Sequence, residues 1–410
     1  MKGNKEVILV NITGQDKPGV TSSLTNILSQ YKVNVLDIGQ AVIHDHLSLG
    51  ILFELPTTAE SAPVLKDMLF KAYELGVSIK FNPIAEENYD EWVSMQGKNR
   101  YIVSLISRKI TANQISRVTD IFVEQGLNID IITRLTGRIA LGNAPVNNKK
   151  ACIEFSVRGK PKNKEKMRRC FLEMASEIGA DIAFQSDNIY RRNRRLVCFD
   201  MDSTLIQTEV IVELAKKAGV GNKVHEITEQ AMRGEIDFNE SFERRIRLLE
   251  GVDESVLIDI AENLPISEGA TRLFKTLKKY GFRTAILSGG FTYFAKYLQR
   301  KFDIDYVFAN ELEIKQGKLT GNYIGEIVDG DAKAEWLKKI AFKEDIHLDQ
   351  VIAVGDGAND LPMLNIAGLG IAYHAKPKVK ESAEHALSTT GLDSILYLMG
   401  FRDREIEEIE

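Results

Sequence analysis

Apolar and polar residues follow the same plan twice over the first 187 positions. Alternation and short apolar runs predict strands over 6–12, 33–41, 47–55 and 77–81, and a 3.6-residue period predicts helices over 20–29 and 63–75. The order strand, helix, strand, strand, helix, strand then recurs. Strands are expected over 101–106, 129–134, 151–157 and 181–185, with helices over 112–124 and 164–178. Each block reads as a split βαβ, ferredoxin-like domain, a frame that fixes no function by itself. Expected bounds are 1–90 and 98–187.

The pattern changes after 188. Residues 196 to 199, 284 to 287 and 351 to 354 are short apolar runs, as in strands covered on both faces. The expected architecture of 188–410 is α/β, a Rossmann-like parallel sheet. Residues 210–262 carry helical spacing alone, as in Ile211, Leu214 and Ala215 and again in Ile246, Leu249 and Val252. An all-helical insert after the first strand is read as a cap.

The strand ends carry the chemistry. Leu-Val-Cys-Phe-Asp-Met-Asp-Ser-Thr, from 196 to 204, delivers Asp200 and Asp202 to the carboxyl end of a buried strand, where open α/β sheets bind ligands. A turn is expected after Asp200, and Ser203 and Thr204 suit it. A second apolar run ends in Gly-Asp-Gly-Ala-Asn-Asp, 355 to 360, with acids Asp356 and Asp360. Asp200 and Asp356 on neighbouring strands could hold a hard cation such as Mg²⁺. Ser288, with Gly289 and Gly290, ends a strand ahead of helical spacing from Phe291, and the N-terminus of that helix favours phosphate. Lys333 opens another and offers a compact cation. Singly, each has a plainer reading: a turn, a helix cap, a surface lysine.

Their order supplies more. Asp200-x-Asp202-x-Thr204, Ser288-Gly289-Gly290, Lys333 and Gly355-Asp356-Gly357-Ala358-Asn359-Asp360 together resemble the four motifs of the haloacid dehalogenase superfamily, and the segments 308–312 and 317–321 narrow the resemblance to the phosphoserine phosphatase family. The resemblance implies Asp200 as nucleophile and Asp202 as general acid and base. It implies Mg²⁺ held by Asp200, the backbone carbonyl of Asp202 and Asp356, with Thr204 and Asp360 in support. It places Ser288, Gly289, Lys333 and Asn359 on the phosphate, Glu209 and Arg245 on the ammonium and carboxylate of O-phosphoserine, and Met232 and Phe238 along the pocket. Arg244 has Glu240 one helical turn back, whereas Arg245 has no acid there and is free for a ligand. Another small phosphorylated metabolite, handled by a phosphatase or phosphotransferase of the superfamily, is the alternative. A non-catalytic sensor on the same fold is a third.

In the N-terminal half, Thr-Gly-Gln-Asp-Lys-Pro-Gly-Val, 13 to 20, resembles the first strand-to-helix turn of ACT domains, which bind amino acids. Asp16 is expected to cap the helix, Pro18 to sit in its first turn, and Gly19 to admit an effector, with serine foremost. Residues 107–112 lack the Pro-Gly pair, so a ligand site in the second copy is in doubt. ACT-like sheets pair across chains, which implies a homodimer.

Composition adds limits. The 410 residues are 44% apolar and 27% charged, with a net charge of −5, which disfavours a nucleic-acid partner. No signal peptide or membrane span is read, and the three cysteines show no metal-ligand spacing, so a cytoplasmic, reducing location is expected. The basic runs 160–169 and 191–195 read as a solvated helix face and a linker.

Overall fold

The computed structural model describes residues 6–56, 61–94, 99–138 and 150–407. They form two compact units, split between 98 and 99. The domain start expected at 98 lies outside the described residues.

The first unit is a four-stranded antiparallel sheet in the order Asn34–Ile43, His46–Glu54, Val7–Gln15, Val77–Ile84. Helices Val20–Gln30 and Ser61–Leu75 cover one face through Val20, Leu24 and Leu28 and through Val64, Met68 and Ala72, spaced at helical intervals and buried with Val10, Ile12, Ile51 and Phe53. A further helix, Glu86–Ser94, buries no residue, so no apolar stripe announces it in the sequence. The helix start at Val20 also departs from expectation. Its N-cap is Gly19, not Asp16, and no side chain caps it. The chain enters through the left-handed region at Gly19, φ 95°, which glycine adopts at little cost. Asp16 lies too far back to cap; its backbone N–H donates to the carbonyl of Asp45 at 2.7 Å. Pro18 precedes the helix and is not in its first turn.

The second unit begins with the repeat of this fold. Its sheet runs Asn128–Arg134, Ala151–Arg158, Arg100–Ser107, Asp181–Ser186, with helices Ala112–Gln125 and Lys164–Ile178. Thr111 and Gln114 form a reciprocal capping box on the first of these helices. A seven-stranded sheet follows, in the order Lys318–Ile324, Tyr306–Lys315, Arg283–Phe291, Leu196–Phe199, Val351–Gly355, Leu369–Tyr373, His385–Leu387. All neighbours are parallel except the first pair. Four helices fill 210–262: Val210–Lys217, Gly221–Met232, Phe238–Arg247 and Ser255–Glu262.

The second ferredoxin-like sheet is covered on both faces. Val103, Leu105 and Phe155 pack under its own helices, while Ile106, Leu135, Cys152 and Ala183 join the core of the large sheet. Polar contacts lock the junction. Asp181 accepts from the N–H groups of Ser388 and Thr389 at 2.7 and 3.1 Å and from the Thr389 hydroxyl at 2.6 Å. Arg108 grips Glu268 with two hydrogen bonds of 2.7 and 2.6 Å. The basic runs contribute here, which corrects their reading as solvated face and linker. Arg168 donates to the carbonyl of Ala383 at 2.6 Å. Arg191 is buried and ion-paired with Glu154, and Arg194 donates to the carbonyls of Asp349 and Gly368 at 2.6 and 3.0 Å.

Candidate active site

The central strand Leu196–Phe199 lies between Arg283–Phe291 and Val351–Gly355, with Phe199 level with Ile286 and Val354. Asp200 and Asp356 therefore leave adjacent strands at the same edge. The N–H of Asp200 still donates to the carbonyl of Val354 at 2.8 Å. The chain then turns through Met201–Leu205, closed by Ile206 N–H on the Met201 carbonyl at 3.1 Å, with Ser203 left-handed at φ 56°. This is the turn expected after Asp200. The Asp202 carboxylate accepts the N–H of Val210, first residue of the helical insert, at 2.9 Å. Its other oxygen lies 2.3 Å from where a Cβ on Gly290 would stand, so the loop after Ser288 must be bare there. Ser288 is buried, and its Oγ accepts the N–H of Gly290 at 3.0 Å.

Lys333 enters from the helix Gly330–Lys343, N-capped by Asp329. It is fully buried and donates to Asp200 at 2.7 Å and to Asp360 at 2.6 Å. The second Asp360 oxygen accepts the N–H of Gly357 at 2.9 Å, so this side chain anchors the lysine and closes its own short turn and does not cap the helix Leu361–Ile366 that follows. Thr204 donates to Asp356 at 3.3 Å. Asn359 fits between Gly357, where a Cβ would meet its Oδ1 at 2.2 Å, and Gly330, where one would meet its carbonyl at 2.7 Å.

Acids crowd this site. Burial, then the Asp360 charge, raises Asp200 to about 6 against the pull of Lys333. Burial, then Asp200, raises Asp202 to about 8. Burial, then Asp200 and Asp360, raises Asp356 to about 8. Burial opposes the Lys333 charge, but the two carboxylates hold its ammonium above the ordinary lysine range. Asp200, Asp356 and Asp360 each offer an oxygen within 4.8 Å of the others. With Asp360 taken by Lys333 and Gly357, Asp200 and Asp356 remain to face a cation. An all-oxygen set carrying more acid than one lysine can balance fits a hard divalent ion such as Mg²⁺.

The insert supplies the far wall. Phe238 reaches to 3.0 Å from the Cβ position of Gly289, setting the insert against the Ser288 loop. Arg244 pairs with Glu240, whereas Arg245 donates Nε only to the Ser241 carbonyl at 3.2 Å and, among the described residues, has no carboxylate within ion-pair distance. Burial lowers Arg245 below the usual arginine range, offset by the charges of Glu209 and Asp202. Arg245 and Glu209, half-buried, thus share the space beside Asp202. The Met232 side chain lies outside the described residues. Asp16 and Gly19 belong to the first unit. Asn310 is a residue the sequence reading assigned no role. Buried in the strand Tyr306–Lys315, its Nδ2 donates to the Gly289 carbonyl at 2.8 Å and its Oδ1 accepts the Val328 N–H at 2.8 Å. It ties the Ser288 loop to the segment leading into the Lys333 helix, and its only sequence signal is an amide within a strand.

Comparison with known proteins agrees with this geometry. Residues 197–365 match the haloacid dehalogenase-like hydrolase family, and 6–82 and 100–185 each match ACT domains. Phosphoserine phosphatase SerB2 of Mycobacterium tuberculosis is 38% identical over 403 residues, covering 98% of this chain and 95% of that protein. The chain belongs to the phosphoserine phosphatase family. It is an enzyme of the haloacid dehalogenase-like hydrolases with two ACT domains. Phosphoserine phosphatase of Archaeoglobus fulgidus is 45% identical over 249 residues, 60% of this chain and 72% of its own. A solved probable phosphoserine phosphatase of Vibrio cholerae superposes with a TM-score of 0.58 at 34% identity, covering 76% of this chain and 89% of that one. No helix among the described residues is long and apolar enough to cross a membrane.

Proposed function

We propose that this family member is a Mg²⁺-dependent phosphatase that hydrolyses O-phospho-L-serine to L-serine and phosphate, the last step of serine biosynthesis, through an aspartyl phosphate on Asp200. One observation carries the reading. Two carboxylates two residues apart are driven to different states, Asp200 at about 6 beside Lys333 and Asp202 at about 8. At neutral pH the first is mainly a carboxylate and the second mainly an acid, the division of labour that acid-assisted displacement requires.

In the first half-reaction an Asp200 oxygen attacks phosphorus and the phosphorus–oxygen bond to serine breaks. Asp202 gives its proton to the departing alkoxide, which is too basic to leave unaided. In the second, Asp202 takes a proton from a water that attacks the aspartyl phosphate, and phosphate leaves. Ser288, Lys333, Asn359 and the backbone about Gly289 hold the phosphoryl oxygens, where positioning and charge supply most of the rate. Arg245 takes the substrate carboxylate and Glu209 its ammonium, with Phe238 and Met232 as apolar walls. When bound, Mg²⁺, held by Asp200, Asp356 and the Asp202 carbonyl, supplies the positive charge that offsets the clustered acids and the phosphate. The division of the chain follows as ACT-like domains over 1–90 and 98–187 and a phosphatase domain over 188–410. Serine is the effector of the first ACT domain, at Asp16 and Gly19, in a cytoplasmic homodimer.

Phosphate release from a panel of phosphorylated metabolites, with and without Mg²⁺, tests the activity. Phosphoserine should lead the panel, and a metabolite lacking either amine or carboxylate in first place would move the reading to another substrate of the same chemistry. Calorimetry tests the effector: millimolar serine should give a binding heat that Gly19→Val weakens, because φ 95° strains any side chain there.

A further inference from the structure

In the phosphatase domain, beside the point where Arg191 pairs with Glu154 of the second ACT domain, the structure holds a cleft of about 190 Å³ that the reaction does not use. Its walls include Arg191, Arg192 and Arg194 together with Phe282, Met399 and Phe401. It is remote from the catalytic carboxylates. Arg194 precedes the strand Leu196–Phe199 and Phe282 precedes Arg283–Phe291, while Asp200 follows the first of these strands. The length of that strand puts roughly 15 Å between the two ends of the sheet.

The cationic wall is incompletely satisfied. Arg191 pairs with Glu154 and Arg192 with Asp187. Arg194 has no carboxylate within ion-pair distance among the described residues and donates only to backbone carbonyls. The Arg191 side chain is 7% exposed, yet its Nε has no hydrogen-bond partner among the described residues. Glu405, the acid of the wall, already accepts the Arg402 N–H at 2.7 Å. Burial, then the neighbouring Arg191 charge, depresses Arg194 to about 10 against the opposing charges of Asp349 and Glu384. Beside them the Phe282 and Phe401 rings stand 6.3 Å apart between centroids, next to Met399.

We propose that this cleft binds a small organic oxyanion, its carboxylate or phosphate head against the arginines and a compact apolar body against Phe282, Met399 and Phe401. Guanidinium forks match both head groups. The volume is below the ~300 Å³ at which drug- and cofactor-sized pockets begin, so the body is of about one ring. Nothing in this inference depends on the substrate assigned to the active site.

Methyl-labelled methionine resonances test it in the full chain, with phenylphosphonate as probe. Met399 lines the cleft, and Met201, between the catalytic aspartates, reports the active site in the same spectrum. The Met399 methyl should shift saturably. Arg192→Glu, at a side chain 67% exposed, should weaken that response by ~10-fold or more through charge reversal while leaving the Met201 response unchanged. If that variant does not fold, Arg192→Gln should move the same response in the same direction. Inorganic phosphate should act at Met399 more weakly, and neutral benzyl alcohol not at all. A Met399 signal that stays still while Met201 moves overturns the proposal, as does an unchanged response in both Arg192 variants. Equal responses to phosphate and phenylphosphonate remove the apolar half of the site, and an equal response to benzyl alcohol removes the anionic half.

Discussion

The Mg²⁺ affinity of this enzyme should vary with pH in a way fixed by two carboxylates. Without metal, Asp200 titrates at about 6 and Asp356 at about 8, and both must be ionised to hold a hard cation. Binding at pH 5 should therefore release ~2 protons, at pH 7 ~1, nearly all from Asp356, and at pH 9 almost none. Integrated, the affinity should rise by ~10³ from pH 5 to 7 and by only ~10-fold from pH 7 to 9. The sign for folding runs the other way. These acids titrate higher folded than unfolded, so the metal-free fold binds more protons than the unfolded chain. It loses stability as pH rises from the ordinary carboxylate range toward 8. Added Mg²⁺ should reverse that loss, so the gain in Tm on adding metal grows with pH. Calorimetry in two buffers of different ionisation enthalpy counts the protons directly. Asp356→Asn should bring the count at pH 7 to ~0.1, with weaker binding. A count of zero at pH 7 in the unaltered chain would refute the crowded-acid account.

Three other outcomes follow from the geometry. Asp202→Asn keeps an oxygen for the Val210 N–H and should depress phosphoserine turnover far more than turnover of an aryl phosphate, whose leaving group needs little protonation; steady-state rates on both substrates decide, and equal losses return Asp202 to a structural role. Arg245→Ala should lower kcat/KM for phosphoserine by ~10² or more, the loss of about 3 kcal/mol from a desolvated ion pair, yet leave phosphoethanolamine, which lacks the carboxylate, nearly unchanged. A chain of residues 99–410 should fold and turn over, whereas 190–410, which uncovers the core about Ile106, Leu135, Cys152 and Ala183, should aggregate or melt early; a well-folded 190–410 would show that the docked ACT domain is dispensable for the fold.

Local periodicity made most of the elements legible. The apolar runs at 196–199 and 351–354 end at Asp200 and Asp356, so the strand and its chemical tip are adjacent in sequence. Groups that act through distant contacts were not legible. Asn310 joins two loops that come together only in the folded sheet, and Asp181 opens a strand yet serves the N–H groups of residues 388 and 389. The docking of the second ACT domain did leave a trace. Strand 100–107 has apolar residues at 102, 103, 105 and 106, against the alternation expected of a sheet with one wet face, and it is buried on both sides. Arg168 read as part of a solvated face and Arg191 and Arg194 as linker; here the Ala383 carbonyl and Glu154 take up the first two across the domain junction, and carbonyls within the phosphatase domain take up Arg194.

The same electrostatics bears on the order of events. Ionised, Asp200, Asp356, Asp360 and Glu209 outnumber the cations beside them, Lys333 and Arg245, and the metal-free chain relieves the excess by holding protons on Asp356 and Asp202. A phosphoserine dianion entering that state would meet un-neutralised carboxylates in a buried site, where like charges at short range are costly. With a divalent ion in place of the Asp356 proton, the protein's acids and cations would come close to balance, and Lys333 would share the phosphate's charge with it. Asp202, raised to about 8 in the metal-free chain, would on the proposed mechanism be the acid that serves the leaving oxygen. On the proposed mechanism metal should therefore load before substrate, and phosphoserine affinity should depend on Mg²⁺ more steeply than on any single contact in the helical insert.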